Sequence, residues 1–257
     1  MSQRVTGRRW VALLVLGLAV IAGGCSGQGS DSSTTSEVGS SRGSGSATTE
    51  AGTPGRLEAD SQLVAQSDAQ VEVWESPEEE AVSHMFSALT QPSGILTFTV
   101  LDEIGSGWLH VGLPSPPVGS TGYVKADSVS LNRHRYRIEV SRGAHTLKVF
   151  AGDVEALTVP VSIGPDAPPA ETETYIKELL VPPDGTPYGG HVYGLAGWNS
   201  TEAQFGAGSG VVAIHAASPE VLGTDTPTGA IGTDRAVLTR LVDNIGLPLG
   251  TPVKITP

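Results

Sequence analysis

The chain has 257 residues, Lys+Arg 15 against Asp+Glu 27, a net charge of -12 and a pI of about 4.8. An acidic chain with no cluster of Lys or Arg carries no nucleic-acid footprint. Its one cysteine, Cys25, excludes a disulfide within the chain, so the folded part depends on its hydrophobic core.

The first segment carries Arg4, Arg8 and Arg9, then an apolar run over 10–22, then Gly23, Gly24 and Cys25. The run is short of the ~20 apolar residues that span a bilayer. Basic, apolar, small and then cysteine resembles the signal peptide of a bacterial lipoprotein, so 1–24 is set aside from fold reasoning. The resemblance implies a lipid (palmitate among its acyl chains) on Cys25. It places the protein at the cell membrane, lipid-anchored on the extracytoplasmic face, because two acyl chains hold a bilayer far more stably than one. The plainer reading, a secreted protein in which Cys25 is incidental, stays open. Removing the segment's three arginines takes the net charge from -12 to -15.

Residues 26–60 are Ser, Gly and Thr with scattered acids and almost nothing to bury. Together with Cys25 (25–60) they read as a disordered tether, reaching roughly 30–35 Å by flexible-chain scaling. The roughly 200 residues beyond suffice for two small domains, expected over 61–132 and 133–257.

In the first domain, short apolar runs at 62–65, 71–74, 96–101, 108–111, 122–125 and 129–131 read as strands. The glycines of 105–107 and 119–122 mark the turns between them. Many short strands at this spacing suggest a small β-barrel. The order Gly107-Trp108-Leu109-His110-Val111, Gly122-Tyr123-Val124, Val129 resembles a bacterial Src-homology-3-like barrel. Trp74, Trp108 and Tyr123 serve either as barrel core or as a ligand groove.

In the second domain, strands are expected at 135–140, 146–151, 154–163, 175–180 and 211–214, with a tight turn at Gly152-Asp153. The Pro- and Gly-rich stretch 181–210 reads as a long surface loop. Val237, Leu238, Leu241, Val242 and Ile245 share one face of a helix over 234–245. Thr233 or Asp234 caps that helix, and Gly246 and Pro248 stop it. A last strand lies at 250–255. The class is mainly β with one helix.

Six pieces now stand in order: Leu147-Lys148-Val149-Phe150; Val159-Pro160-Val161-Ser162-Ile163-Gly164; Val211-Val212-Ala213-Ile214-His215; Pro219 with Leu222-Gly223; Gly229-Ala230-Ile231; and Leu249-Gly250-Thr251-Pro252-Val253-Lys254-Ile255. Together they resemble the catalytic domain of the L,D-transpeptidases. The resemblance implies a β-sandwich-like domain in which a cysteine thiolate attacks a wall stem peptide. A histidine takes the proton and backbone amides hold the oxyanion.

The family pattern is Ile-His-Gly followed by Ser-His-Gly-Cys-Ile-Arg. This chain has Ile214-His215-Ala216 and Pro227-Thr228-Gly229-Ala230-Ile231-Gly232. His215 keeps the base position and Gly229 keeps its glycine. Ala230 replaces the nucleophile, Thr228 the second histidine and Gly232 the arginine. The substrate-loop pattern Thr-Pro-Thr-Pro-x-Gly is worn to Ala167-Pro168-Pro169-Ala170-Glu171-Thr172. Cys25, on its tether, cannot supply the thiol. Thr228 and Ser218 carry hydroxyls near the motif, but a hydroxyl ionises far less readily than a thiol.

Three functions remain open. The first is a non-catalytic domain that binds peptidoglycan stem peptides or a cell-wall protein. The second is a cross-linking enzyme with an atypical nucleophile. The third is an interaction lipoprotein acting through its barrel. The six histidines show no HxH or HxxxH spacing, so no metal and no cofactor is expected.

Overall fold

The computed structural model describes residues 61–91, 93–182, 190–198 and 212–257. The stretches expected as signal peptide (1–24) and tether (25–60), with Cys25, lie outside the described residues, as does most of the expected 181–210 loop. The described part is mainly β, and among the described residues no helix is long and apolar enough to cross a membrane.

The amino-terminal strands are Gln62–Ser67 (β1), Gln70–Val73 (β2), His84–Ser87 (β3), Leu96–Ile104 (β4), Trp108–Gly112 (β5), Thr121–Lys125 (β6) and Ser130–His134 (β7). Five form a sheet in the order β6-β5-β4-β1-β7, and β2 pairs with β3. Trp74, next after β2, exchanges two backbone hydrogen bonds with Tyr123 of β6 at 2.9 and 2.8 Å, which brings the hairpin round to near closure of a barrel. Alternation accounts for the barrel's core. Val71 and Val73, Leu109 and Val111, and Leu96, Phe98 and Val100 all point inward around Val124. β3 is half exposed and shows no buried alternation, so the sequence pattern misses it.

The second part has Tyr136–Ser141 (β8), Thr146–Ala151 (β9), Val154–Pro160 (β10), Ser162–Ile163 (β11), Thr172–Leu180 (β12), Val192–Leu195 (β13), Ala213–Ala216 (β14), Ile231–Thr233 (β15) and Pro252–Thr256 (β16). They make a nine-stranded sheet in the order β10-β9-β8-β16-β12-β13-β14-β15-β11. It turns at β12, whose first residues pair with β16 and whose later ones pair with β13, with a register shift between Ile176 and Glu178. Ile138, Val140, Leu147, Val149, Val253 and Ile255 on one side meet Ile176, Tyr193, Leu195, Ile214 and Ile231 on the other in one core.

That core is completed by a helix, Arg235–Thr239 (α1), which widens into a π-type turn over Arg240–Ile245. Its Leu238 and Leu241 are fully buried. Asp234 is the cap, accepting from the Ala236 amide at 2.7 Å, and Gly246 ends the helix at φ 64°.

Three expectations are corrected. The run 154–163 is two strands, because its first part pairs with β9 through Pro160 and Ser162–Ile163 then leaves to pair with β15. Residues 192–195, expected in a surface loop, are a fully buried strand. Their neighbours' Gly and Pro content hides a four-residue run with no polar face. β15 is missed because it is three residues long with Gly232 at its centre.

The two cores meet at Tyr175. It is buried, and its hydroxyl lies 3.1 Å from the Thr97 carbonyl and 3.0 Å from the Gly112 carbonyl, both on barrel strands. Desolvation holds the phenol far above its ordinary pKa, so it remains a donor. Gly197 donates to the Pro114 carbonyl at 3.1 Å, and a Cβ there would strike Val118.

His134, at the end of β7 where the chain passes into β8, is expected to make the fold acid-sensitive. Its Nδ1 accepts the Tyr136 amide at 3.2 Å, and burial lowers its pKa to about 4. The native ring stays neutral while the unfolded chain takes a proton near pH 6.5. Stability is therefore complete above that value and is lost as pH falls toward 4. His134→Asn keeps an acceptor for the amide but cannot charge. Thermal unfolding from pH 7 to 4.5 should show the parent losing about 2 kcal/mol more than the variant, allowing for partial solvent screening. Parallel losses would exclude His134 as the cause.

Candidate functional site

The apolar run 212–214 drives β14 into the core between β13 and β15 and carries His215 with it. β14 and β15 run parallel, with Ile214 opposite Ile231 and His215 opposite Gly232. The loop before β15 then folds back so that Ala230 meets the His215 ring. Residues fifteen apart in sequence, singled out as base and vacant nucleophile position, stand together.

The ring's contacts set its chemistry. Nδ1 lies 2.9 Å from the Ala216 carbonyl, which can only accept, so Nδ1 carries the proton. Nε2 is then the lone-pair nitrogen, and it accepts the Ala230 N–H at 3.3 Å. Desolvation pulls the His215 pKa below its ordinary value, while the Ala216 carbonyl acts weakly in the other direction. A neutral imidazole results, with its acceptor nitrogen facing the backbone of residue 230. Ala230 itself is 5% exposed.

Glycines make this closeness possible. Gly229 sits at φ 80°, and a Cβ on it would be 2.8 Å from His215 Nε2. Gly164, at the end of β11, donates to the Ala230 carbonyl at 2.7 Å, and the Asp166 amide donates to the Gly229 carbonyl at 3.1 Å. Residues 164–166, just before the Ala167–Thr172 stretch, are thereby fastened to the Gly229–Ala230 turn. Gly232 is enclosed, since a Cβ there would run into Ser162 Oγ and Ala217. No space remains beside it for the arginine of the family pattern. Thr228 is exposed, in a turn where its carbonyl accepts from the Thr226 hydroxyl at 3.0 Å. Ser218 precedes a short 3-10 turn at Pro219–Val221.

Two polar groups escaped the sequence reading. Ser162 is 2% exposed and lies opposite Gly232 in register. Its Oγ and His215 Cε1 both fall within 3.6 Å of the point where a Gly232 Cβ would stand. Only strand register could have paired them. Glu178 is 1% exposed and 3.5 Å from Lys177, and burial pushes its carboxyl up. The bulge at Ile176/Glu178 turns this residue inward, and no alternation pattern forecasts a bulge.

On the barrel, Trp74 is buried and meets Trp108 edge-on at 5.0 Å, with the Lys125 ammonium 5.1 and 5.8 Å from the two rings. Tyr123 stacks on His110 at 4.8 Å. Trp74 is therefore core, while Trp108 and Tyr123 stay half-buried at the surface. Among the described residues no three His, Cys, Asp or Glu side chains stand close enough together to hold a metal ion.

No protein-family model and no curated protein matches the chain. Among solved structures it is similar to an L,D-transpeptidase from Xylanimonas cellulosilytica, at 16% identity over 47% of this chain and 59% of that one (TM-score 0.34). It is also similar to an L,D-transpeptidase from Mycobacterium smegmatis, at 15% identity over 73% and 99% (TM-score 0.37). A third is L,D-transpeptidase 3 from Mycobacterium tuberculosis, solved with a faropenem-derived adduct, at 12% over 81% and 87% (TM-score 0.39). The chain thus spans about three fifths of the Xylanimonas structure.

Proposed function

We propose that this protein is a cell-envelope lipoprotein, anchored at Cys25, whose L,D-transpeptidase-like domain binds peptidoglycan stem peptides without acyl transfer. One observation carries the reading. The base position His215 is kept beside residue 230, but 230 offers a methyl group, and its amide occupies the ring nitrogen that would take a proton. Thiol chemistry has no thiol here. The buried hydroxyl of Ser162, opposite Gly232, is 2% exposed, so a substrate carbonyl has little access to it. A net charge of -12 suits a wall-facing role rather than a nucleic-acid one.

A second reading has its own support. Trp108, Tyr123 and Lys125 give the barrel a half-exposed aromatic surface with a cation, able to hold a wall ligand or a cell-wall protein. Because Tyr175 joins the two cores, the test uses the full chain in detergent. Its sedimentation with purified peptidoglycan is compared for the parent and Trp108→Ala. The parent is expected to pellet and the variant to pellet equally. Loss of pelleting in Trp108→Ala moves the function to the barrel, and failure of the parent to pellet ends the wall-binding reading. Intact mass after carbapenem treatment is expected to be unchanged, and an adduct outside Cys25 would restore the enzyme.

A further inference from the structure

A cleft of about 450 Å³ lies beside the loop that is fastened to Gly229 and Ala230. Its lining includes Arg142, Asp166, Pro169, Trp198 and Val212. Arg142, half-buried, donates from Nη1 to the carbonyls of Ala167 and Pro168 at 3.1 and 2.8 Å. These bonds pin the guanidinium without neutralising it, and Arg142 makes no ion pair among the described residues. With Nη1 engaged by these two carbonyls, the three remaining N–H donors, one on Nε and two on Nη2, meet no acceptor among the described residues. Trp198 adds a buried indole N–H with no acceptor among the described residues. Proline and valine side chains supply apolar walls. The volume is that of a small-molecule site.

A fixed guanidinium, an unmet indole donor and apolar walls in an acidic protein select one chemistry. We infer that this cleft holds the terminal carboxylate of a short peptide, with Arg142 as the charged anchor and Trp198 as the second donor. The carboxylate takes the guanidinium fork and the flanking methyl groups lie on the proline walls. The inference rests on the wall-ligand reading above and states which end of the stem is grasped.

The test titrates the full chain in detergent with N-acetyl-D-alanyl-D-alanine as the free acid and as its carboxy-terminal amide, by calorimetry. The acid is expected to bind at least tenfold more tightly than the amide. Arg142→Lys, which keeps charge but loses the fork, should weaken the acid at least fivefold. Trp198→Phe, which keeps the ring but loses the N–H, should do so at least threefold. Circular dichroism and thermal unfolding confirm that both variants are folded. Equal binding of acid and amide, or folded variants that bind like the parent, would overturn the assignment. The two readings fail separately. If the parent and the folded double variant pellet alike with peptidoglycan, wall binding stands and the carboxylate site falls. If the dipeptide acid binds and the parent does not pellet, the site stands and the wall reading falls.

Discussion

Ala230→Cys is expected to yield no detectable dimer from tetrapeptide stems, at least ~10³-fold below a competent enzyme, because nucleophile and partners act as a unit and one restored member recovers little. The new sulfur would sit at a position 5% exposed, next to a neutral ring whose Nε2 already accepts the residue's own amide. For the thiol to ionise, that bond must give way to an S–H donor. Thr228, in the second histidine's place, is exposed in a turn and has no nitrogen to offer. The arginine position cannot be rebuilt by a further substitution, since Gly232 is walled in by Ser162 and Ala217. The measurement is dimer formation by mass spectrometry, with carbapenem acylation as a second readout. Dimers from the single variant would show that the site had lost only its sulfur, and the binding-only reading would go.

What the sequence revealed here depended on what each residue contributes locally. β9 and the Gly152-Asp153 turn follow from alternation and a turn that needs a positive φ, and the helix follows from its apolar face and the Asp234 cap. These are short-range effects. The meeting of His215 with Ala230 was legible only through the ordered family motif, since nothing in the fourteen intervening residues fixes a distance. Ser162, Glu178 and Arg142 were not legible at all. Ser162 is placed by the pairing of β11 with β15, Glu178 by a bulge, and Arg142 by two carbonyls roughly 25 residues onward in the chain. Each depends on long-range register, which a one-residue slip would reverse. β13 was hidden for the opposite reason. Its buried run has no polar face, so no alternation marks it.

The largest loss of stability is expected from Gly164→Ala. A Cβ at Gly164 would land on the backbone carbonyls of Gly229 and Thr228, and backbone cannot rotate aside as a side chain can. The Gly164 amide bond to Ala230 would break, and with it the neighbouring Asp166 bond to Gly229. The short pairing of β11 with β15, only Ser162 with Gly232 and Ile163 with Ile231, would then lose its flanking support. A loss above ~4 kcal/mol is expected, among the largest that single substitutions give. For a folded part of this size it corresponds to a fall in Tm of roughly 8–16 °C. Gly223→Ala is the matched control. Gly223 has φ 84°, but nothing lies within 4 Å of its Cβ position, so only the left-handed backbone is penalised, by about 1 kcal/mol. Differential scanning calorimetry of the two variants separates contact from conformation. Equal falls in Tm would mean that the approach of β11 to the motif is not tight. The Gly229–Ala230 turn would then be free to move away from His215, and its amide would not hold the ring nitrogen.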